Sequence, residues 1–322
     1  MTALPNPGAY PTAVGAPSYS GNFTPIIWET MFLVKYYLTT VMGDITNTNY
    51  EGQIKNYGDT VRVPIRPDMI IRRYVDRQEL EVQNPGSDSI DLLIDRGLYF
   101  NALISDVQKK QAQINFVAAW SDDAAQQMAI ESDREILNEI PIDAHPLNQG
   151  ITAGAISENL DLGETADPLQ ISAATVLDSV YNGVQALTEQ NVPSDPSRIS
   201  AVAPAWYIKY LKRSELRQAD LTGDSKSPLR NGLVGQIDTI GKIYQSNNLM
   251  PMVDGVTTTF WVIIVNKDAI TFAAQMTKMQ VLPTTRTFGE LMRGLKIYGF
   301  KTMKPEGLAS LYVRDVPTAT AL

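Results

Sequence analysis

Few residues in this 322-residue chain could do chemistry, and their spacing is poor for it. There is no cysteine and one histidine, His145, followed by Pro146. The missing cysteines remove disulfides, thiol nucleophiles and thiolate metal sites. A single imidazole leaves a Ser–His–Asp triad one possible base and excludes any site built on two histidine ligands. His145 reads as a loop residue after a helix. Carboxylates are plentiful: Asp122-Asp123, Glu131-x-Asp133, and Glu158, Asp161, Glu164 and Asp167 in an acidic loop. Side chains one or two positions apart on a helix point different ways, so they make poor metal or acid–base pairs. Asp44 to Tyr50 lacks the EF-hand spacing. The stretch "RNGLVGQIDTIGKIYQSNNLMP", Arg230 to Pro251, raises the question of a phosphate-cradling loop. Gly232, Gly235 and Gly241 fit neither G-x-x-x-x-G-K-[ST] nor G-x-G-x-x-G. Ile237, Ile240, Ile243 and Tyr244 read as strand and turn, not as the first turn of a helix. The glycines serve tight turns and close packing. No catalytic residue, cofactor site or metal site is expected, and the chain is not read as an enzyme.

Bulk properties narrow the classes further. The formal net charge is −8 and the isoelectric point about 4.8. A nucleic-acid binder needs a basic stripe that releases counterions, and sequence-specific DNA binding is not expected here. Met1 to Trp28 carries no charged side chain, so no signal peptide is expected. The longest apolar stretch, Ile26 to Met42, is interrupted by Glu29, Thr30, Lys35, Thr39 and Thr40. A membrane helix needs about 20 mostly apolar residues, so no membrane span is expected.

The elements that would position anything else follow from periodicity. Residues 1–24 are rich in Pro, Gly, Ala, Ser and Thr, and Pro5, Pro7, Pro11 and Pro17 favour an extended chain. Such a segment has no core of its own and must lie on another surface. Thr24-Pro25 predicts a helix start and Gly43 its end. Ile27, Met31, Val34, Leu38 and Val41 make one apolar stripe, and Trp28, Phe32 and Tyr36 lie off it. Gly52 to Ser105 reads as β structure. Val61, Val63 and Ile65 alternate with Arg62, Pro64 and Arg66, Ile90, Leu92 and Ile94 with Asp91, Leu93 and Asp95, and the run from Leu98 to Ile104 alternates again. Pro64 argues for an edge strand. The expectation is a long hairpin with little to bury. Ala112 to Ile140 returns to helical period, with Val117, Trp120, Ala124, Ala125, Met128, Ala129, Ile136 and Ile140 on the apolar face. An α/β region follows. "LQISAATVLDSVYNGVQALTEQ" and "AWYIKYLKR" are predicted helices, and "SRISAVAP" and "TTTFWVIIVN" strands. Leu221 to Ser227 is a polar loop. Lys267 to Gln275 is predicted as a short helix. "LMRGLKIYGFKTM" and "GLASLYVRDV" are closing strands around a Pro305-Glu306-Gly307 turn.

Charge is sorted along the hairpin. Arg62, Arg66, Arg72, Arg73 and Arg77 crowd one arm; Glu79, Glu81, Asp88, Asp91 and Asp95 crowd the other. Cross-strand pairing within the hairpin and pairing with a neighbouring copy both account for this sorting. Glu131, Glu135 and Glu139 form a like-charged row at i, i+4, suited to solvent or to a neighbour's basic surface. The candidate inter-subunit contacts are therefore Arg62, Arg66, Arg72, Arg73, Arg77, Glu131, Glu135, Glu139, Trp28 and Phe32.

The order of parts, with several local strings, resembles the major capsid proteins of tailed bacteriophages, the HK-ninety-seven-type fold. "YEGQIKNYGDTVRVP" is similar to the start of that family's extended E-loop, and "ISDVQKKQAQ" to the lead into its spine helix. "SPLRNGLVGQIDTIGKIYQSNNLMP" is similar to the stretch of its A-domain that ends in an S-N-N-L-P-like run, which Met250 interrupts here. "MTKMQVLPTTRTFGELMRGLKIYGFKTMKPEGLASLYV" is similar to the return into its P-domain. The resemblance implies an α+β fold divided into an N-terminal arm and helix (1–49), an E-loop β-hairpin (50–111), a P-domain with spine helix (112–168), an A-domain (169–283) and return strands (284–322). It implies hexamers and pentamers closing into an icosahedral shell around DNA. The E-loop would cross a neighbour's spine helix, and the arm would drape over an adjacent subunit. A scaffolding protein, a portal and a cement protein are the partners it implies; the virion capsid, and the host cytoplasm during assembly, are the locations. Some members crosslink through an E-loop lysine. Here no lysine lies between Asn56 and Gln108, so no crosslink is expected. An encapsulin-type compartment shell, a soluble α/β enzyme and a phage tail or neck protein are the alternatives.

Overall fold

The computed structural model describes residues 37–48, 60–65, 69–83, 86, 89–106, 116–214, 237–255, 257–284 and 287–316. The expectations for residues 1–36, which include Trp28 and Phe32, for Arg66 and for the 221–227 loop lie outside the described residues.

The largest unit is a six-stranded sheet. Its strands are β4 (Leu169–Ile171), β5 (Ile199–Ala203), β6 (Lys242–Gln245), β7 (Met252–Asp254), β8 (Thr257–Asn266) and β11 (Leu308–Asp315). The spatial order is β4-β11-β8-β5-β6, with β7 also on β8. β8 is the apolar run "TTTFWVIIVN", and it is buried on both faces. Val262 and Ile264 face one core, and Ile263 and Val265 the other. A strand covered on both sides reads as a continuous apolar run rather than an alternation. Two helices cover the first face: α3 (Val176–Glu189), through Val176, Val180, Val184 and Leu187, and α4 (Ala205–Arg213), through Tyr207, Ile208 and Leu211. The stripe on α3 has helical spacing. Tyr207 is wholly buried, and its hydroxyl lies 2.8 Å from Ser179 Oγ.

The second unit is a three-stranded sheet in the order β3-β10-β9, formed by β3 (Arg96–Ser105), β9 (Ile270–Pro283) and β10 (Gly289–Thr302). The long helix α2 (Phe116–Glu139) lies against it. Ile136 and Leu137 of this helix join Ile263, Val265, Phe272 and Tyr298 in the second core. The third unit is a two-stranded hairpin, β1 (Thr60–Pro64) on β2 (Ser89–Leu93).

Four expectations change. Tyr37–Val41 is not helical, and the short helix α1 begins at Met42, with Gly43 inside it. The physical reason is that the Val41 and Met42 amides bond to a side chain, that of Asp133, rather than to a preceding turn. Leu169–Ile171, expected at the start of a helix, pairs in parallel with β11, and the helix begins only at Val176. Lys267 to Gln275 is not a helix. Lys267-Asp268-Ala269 turns the chain, and Ile270-Thr271-Phe272 opens a strand that β10 holds along its length. β-Branched and aromatic residues favour that state. Ala125, expected on the apolar face of α2, is exposed. The closing strands also divide: β10 stays in the three-stranded sheet, and β11 enters the centre of the six-stranded one.

Candidate functional site

The hairpin is built from its root outward. Leu92 and Ile94 are fully buried with Ala273 and Ile297, and Val61 packs beside them. Lys301 Nζ donates to the Asp91 carbonyl at 3.1 Å. Arg62 and Asp91 are direct cross-strand partners, joined by two bonds of 2.7 and 3.0 Å. That bidentate bond holds the Asp91 carboxyl below its ordinary range. The third alternating run, β3, leaves the hairpin for the other sheet.

Beyond the root the described residues of the hairpin form no core. The described tip, residues 69–83, is two extended arms joined by a turn in which the Gln78 amide donates to Val75 O at 3.0 Å. Arg77 takes the left-handed conformation there, at φ 67°. Gln83 bridges the arms by bonding both the amide and the carbonyl of Ile70. Arg72 pairs with Glu81 across them. The apolar residues on these arms face solvent: Ile71 is 90% exposed, Leu80 79% and Val82 96%. Met69, Ile70, Tyr74 and Val75 are also exposed. A contiguous exposed apolar surface on a folded chain marks a place where another surface docks.

Of the predicted contact residues, Arg62 and Arg72 thus have partners within the hairpin. Arg73 and Arg77 form no ion pair with the described residues. The acidic row on α2 has partners in the chain that the sequence reading missed. Arg96, the first residue of β3, bonds Glu135 and Glu139; its contacts to Glu139 are 2.9 and 2.6 Å. Its guanidinium lies 4.2 Å over the Phe300 ring. These bonds push Arg96 further up its already high range. Tyr298 donates its hydroxyl to Glu135; burial first, and that carboxylate second, raise the Tyr298 phenol. Glu131 pairs with Arg134 one turn on, at 2.9 Å. Glu135 and Glu139 therefore join the helix to the start of β3.

A second missed residue is Asp133. Its side chain is fully buried. One oxygen accepts from the Val41 and Met42 amides at 2.8 and 2.7 Å, and the other from Asn248 Nδ2 at 2.6 Å. Burial pushes this carboxyl up, and the three bonds oppose that. Asn138 Oδ1 accepts from the Met250 amide at 2.9 Å. The run Ser246–Met250 is therefore bolted to α2, which answers what the glycine-rich stretch is for. Gly241 serves close packing: a Cβ there would strike the Pro196 carbonyl. Gly232 and Gly235 lie outside the described residues.

Nothing in the described residues assembles chemistry. No group of three His, Cys, Asp or Glu among them could hold a metal. His145 Nδ1 accepts from the Leu147 amide at 3.2 Å and lies 3.2 Å from the Gln190 amide nitrogen, which fits a loop cap. No described helix is long and apolar enough to cross a membrane.

No family model and no curated protein matches the sequence. Solved structures do match in shape. A chain of Mycobacterium phage Che8 superposes with a TM-score of 0.70 at 22% identity, over 91% of this chain and 98% of that one. The capsid structure of cyanophage P-SCSP1u gives 0.68 at 15%, over 91% and 94%. The asymmetric unit of the bacteriophage PhiM1 mature capsid gives 0.65 at 13%, over 98% and 100%. The α+β fold is the one these phage capsid structures have, the HK-ninety-seven-type fold.

Proposed function

We propose that the chain is a major capsid protein: a structural subunit, not an enzyme, that assembles with copies of itself into the shell enclosing phage DNA. The observation that carries this is the hairpin. Its root is anchored and its tip presents Ile71, Leu80 and Val82 to solvent, which suits a chain completed by a neighbour. The shared fold supports the same reading. Hexamers and pentamers are the capsomers, and the shell forms in the host cytoplasm and stays in the virion. A scaffolding protein, a portal and a cement protein are its further partners. The hairpin, the N-terminal arm with Trp28 and Phe32, and Arg73 and Arg77 are the proposed contacts between copies. Arg66, Glu131, Glu135 and Glu139 are secondary, since the three glutamates already have partners in the chain. An acidic subunit suits a container whose wall must not grip DNA.

Electron microscopy of the purified full chain, alone and with a scaffolding protein, tests this. Closed icosahedral particles are the expected result. Tubes or rings would move the reading to a tail or neck protein, and monomers in every condition would overturn it. Changing Arg72 and Arg73 together to Glu should leave a folded chain that closes no shells. Normal shells from that variant would show that pairing by these arginines is internal to the hairpin or dispensable. A denaturing gel should show monomer alone, and a ladder of multimers would contradict the absence of crosslinking.

A further inference from the structure

The segment from Tyr37 to Asn47 runs lengthwise along α2. The Tyr37 hydroxyl donates to Asp123 Oδ1 at 2.8 Å, and four residues later Val41 reaches Asp133. Four extended residues span about 13 Å, and the ten helical residues from Asp123 to Asp133 rise about 15 Å. The two lengths are similar. At its far end the segment is stitched to β9: the Asn47 amide donates to Ile270 O at 2.8 Å, and the Phe272 amide to Asn47 O at 3.0 Å.

The two attachments on α2 are unequal. Tyr37 and Asp123 are both partly accessible, and Thr39 and Thr40 between the attachments are exposed. Asp133 is sealed: both its oxygens are used, and Val41 and Ile45 pack with Ile136, Leu137 and Ile140 beside it. Asn248 also reaches Thr39 O at 3.3 Å, so the inner attachment is backed by a third element.

We infer that Tyr37–Asn47 is a strap held to α2 by an outer clip at Asp123 and an inner clip at Asp133, that it opens outer end first, and that Asp133 sets how far back it can peel. Its use in assembly rests on the shell reading; the strap itself does not. Asp133 is thereby a positioning residue. The α2 helix is long enough to separate the clips, and the carboxylate is the one group that satisfies the Val41 and Met42 amides at once.

The test is amide hydrogen exchange on the full chain for wild type, Y37F, D133N and D133A. Among the described residues the Leu38, Thr39 and Thr40 amides donate no hydrogen bond, so limited proteolysis reads the outer end: Y37F should be cut within Leu38 to Thr40 about tenfold faster than wild type, while Val41 and Met42 keep wild-type exchange rates. D133A should speed Val41 and Met42 by about tenfold or more, while β8 and β11 keep their protection. D133N keeps one oxygen for the two amides and should fall between. If D133A does not fold, D133N and N248A carry the same comparison. Equal profiles for Y37F and D133A, or acceleration spread uniformly into β8 and β11, would overturn the ordered strap. Microscopy of the same samples separates the two ideas. Ordered opening in a chain that never assembles keeps the strap and rejects the shell, and shells with no ordered opening do the reverse.

Discussion

The six-stranded sheet and the hairpin are made from similar residues and meet opposite fates. Ile264 and Leu311 in the sheet are 1% and 0% exposed; Ile71 and Val82 in the hairpin are 90% and 96% exposed. The sheet has helices on one face and α2 with β9 and β10 on the other, so its apolar side chains find partners in the same chain. The hairpin has a buried root and then two arms whose apolar side chains pack on no layer among the described residues. Apolar surface is worth about 25 cal/mol per Å² when buried, and the hairpin leaves that gain unrealised within one chain. One region is a domain that stabilises itself. The other has a sequence suited to a surface that another molecule must provide.

Ile264→Ala should therefore cost roughly 2–5 kcal/mol of folding stability, seen as a lower midpoint in denaturant titration. Ile71→Ser with Val82→Ser should change that midpoint by less than about 0.5 kcal/mol and remove assembly instead. Equal losses of stability from the two sets would break the comparison. At the junction of the regions Arg96→Ala should be intermediate, at about 1–3 kcal/mol, because it strands Glu135 beside the buried Tyr298. A thermal melt reads that effect. Glu189 sharpens the picture of the self-sufficient half. The Ser157 amide, the Gln185 side chain and the Ile156 amide hold its carboxyl down to about 2, from an ordinary 4.5. A depressed acid contributes stability that is complete above its unfolded value and is lost as pH falls through the folded one. Protection at Ile156 and Ser157, measured relative to the intrinsic exchange rate at each pH, should fall as pH drops from about 4.5 to about 2, and E189Q should flatten that dependence. The smallest effect belongs to Arg62→Ala. Its pair with Asp91 is exposed and solvent-screened, and its loss should leave the melting temperature close to that of wild type.

Legibility followed burial pattern. "TTTFWVIIVN", "SRISAVAP" and "AWYIKYLKR" could be placed because their side chains meet layers the periodicity implies. The hairpin's lack of a core was legible too, as alternation with little apolar mass. What was hidden depended on tertiary partners. Glu135 and Glu139 looked like a solvated row because Arg96 lies 43 positions or fewer away and carries no local signal of pairing. Asp133 did leave a trace. It interrupts the apolar stripe between Ile130 and Leu137, and a charge on that face implies a buried partner. The non-helical Tyr37–Val41 could not be foreseen, since the Val41 amide is taken by a side chain 92 residues away. Ile270–Phe272 was misread because a strand of β9's length is specified by its register with β10 rather than by its own period.

A density map of the particle formed by the full chain tests the central claim most directly. The account predicts a closed shell in which each hairpin lies on another copy and Ile71 and Val82 are covered. Hairpins that stand free in solvent within a closed shell, or a chain that forms no particle at all, would contradict it.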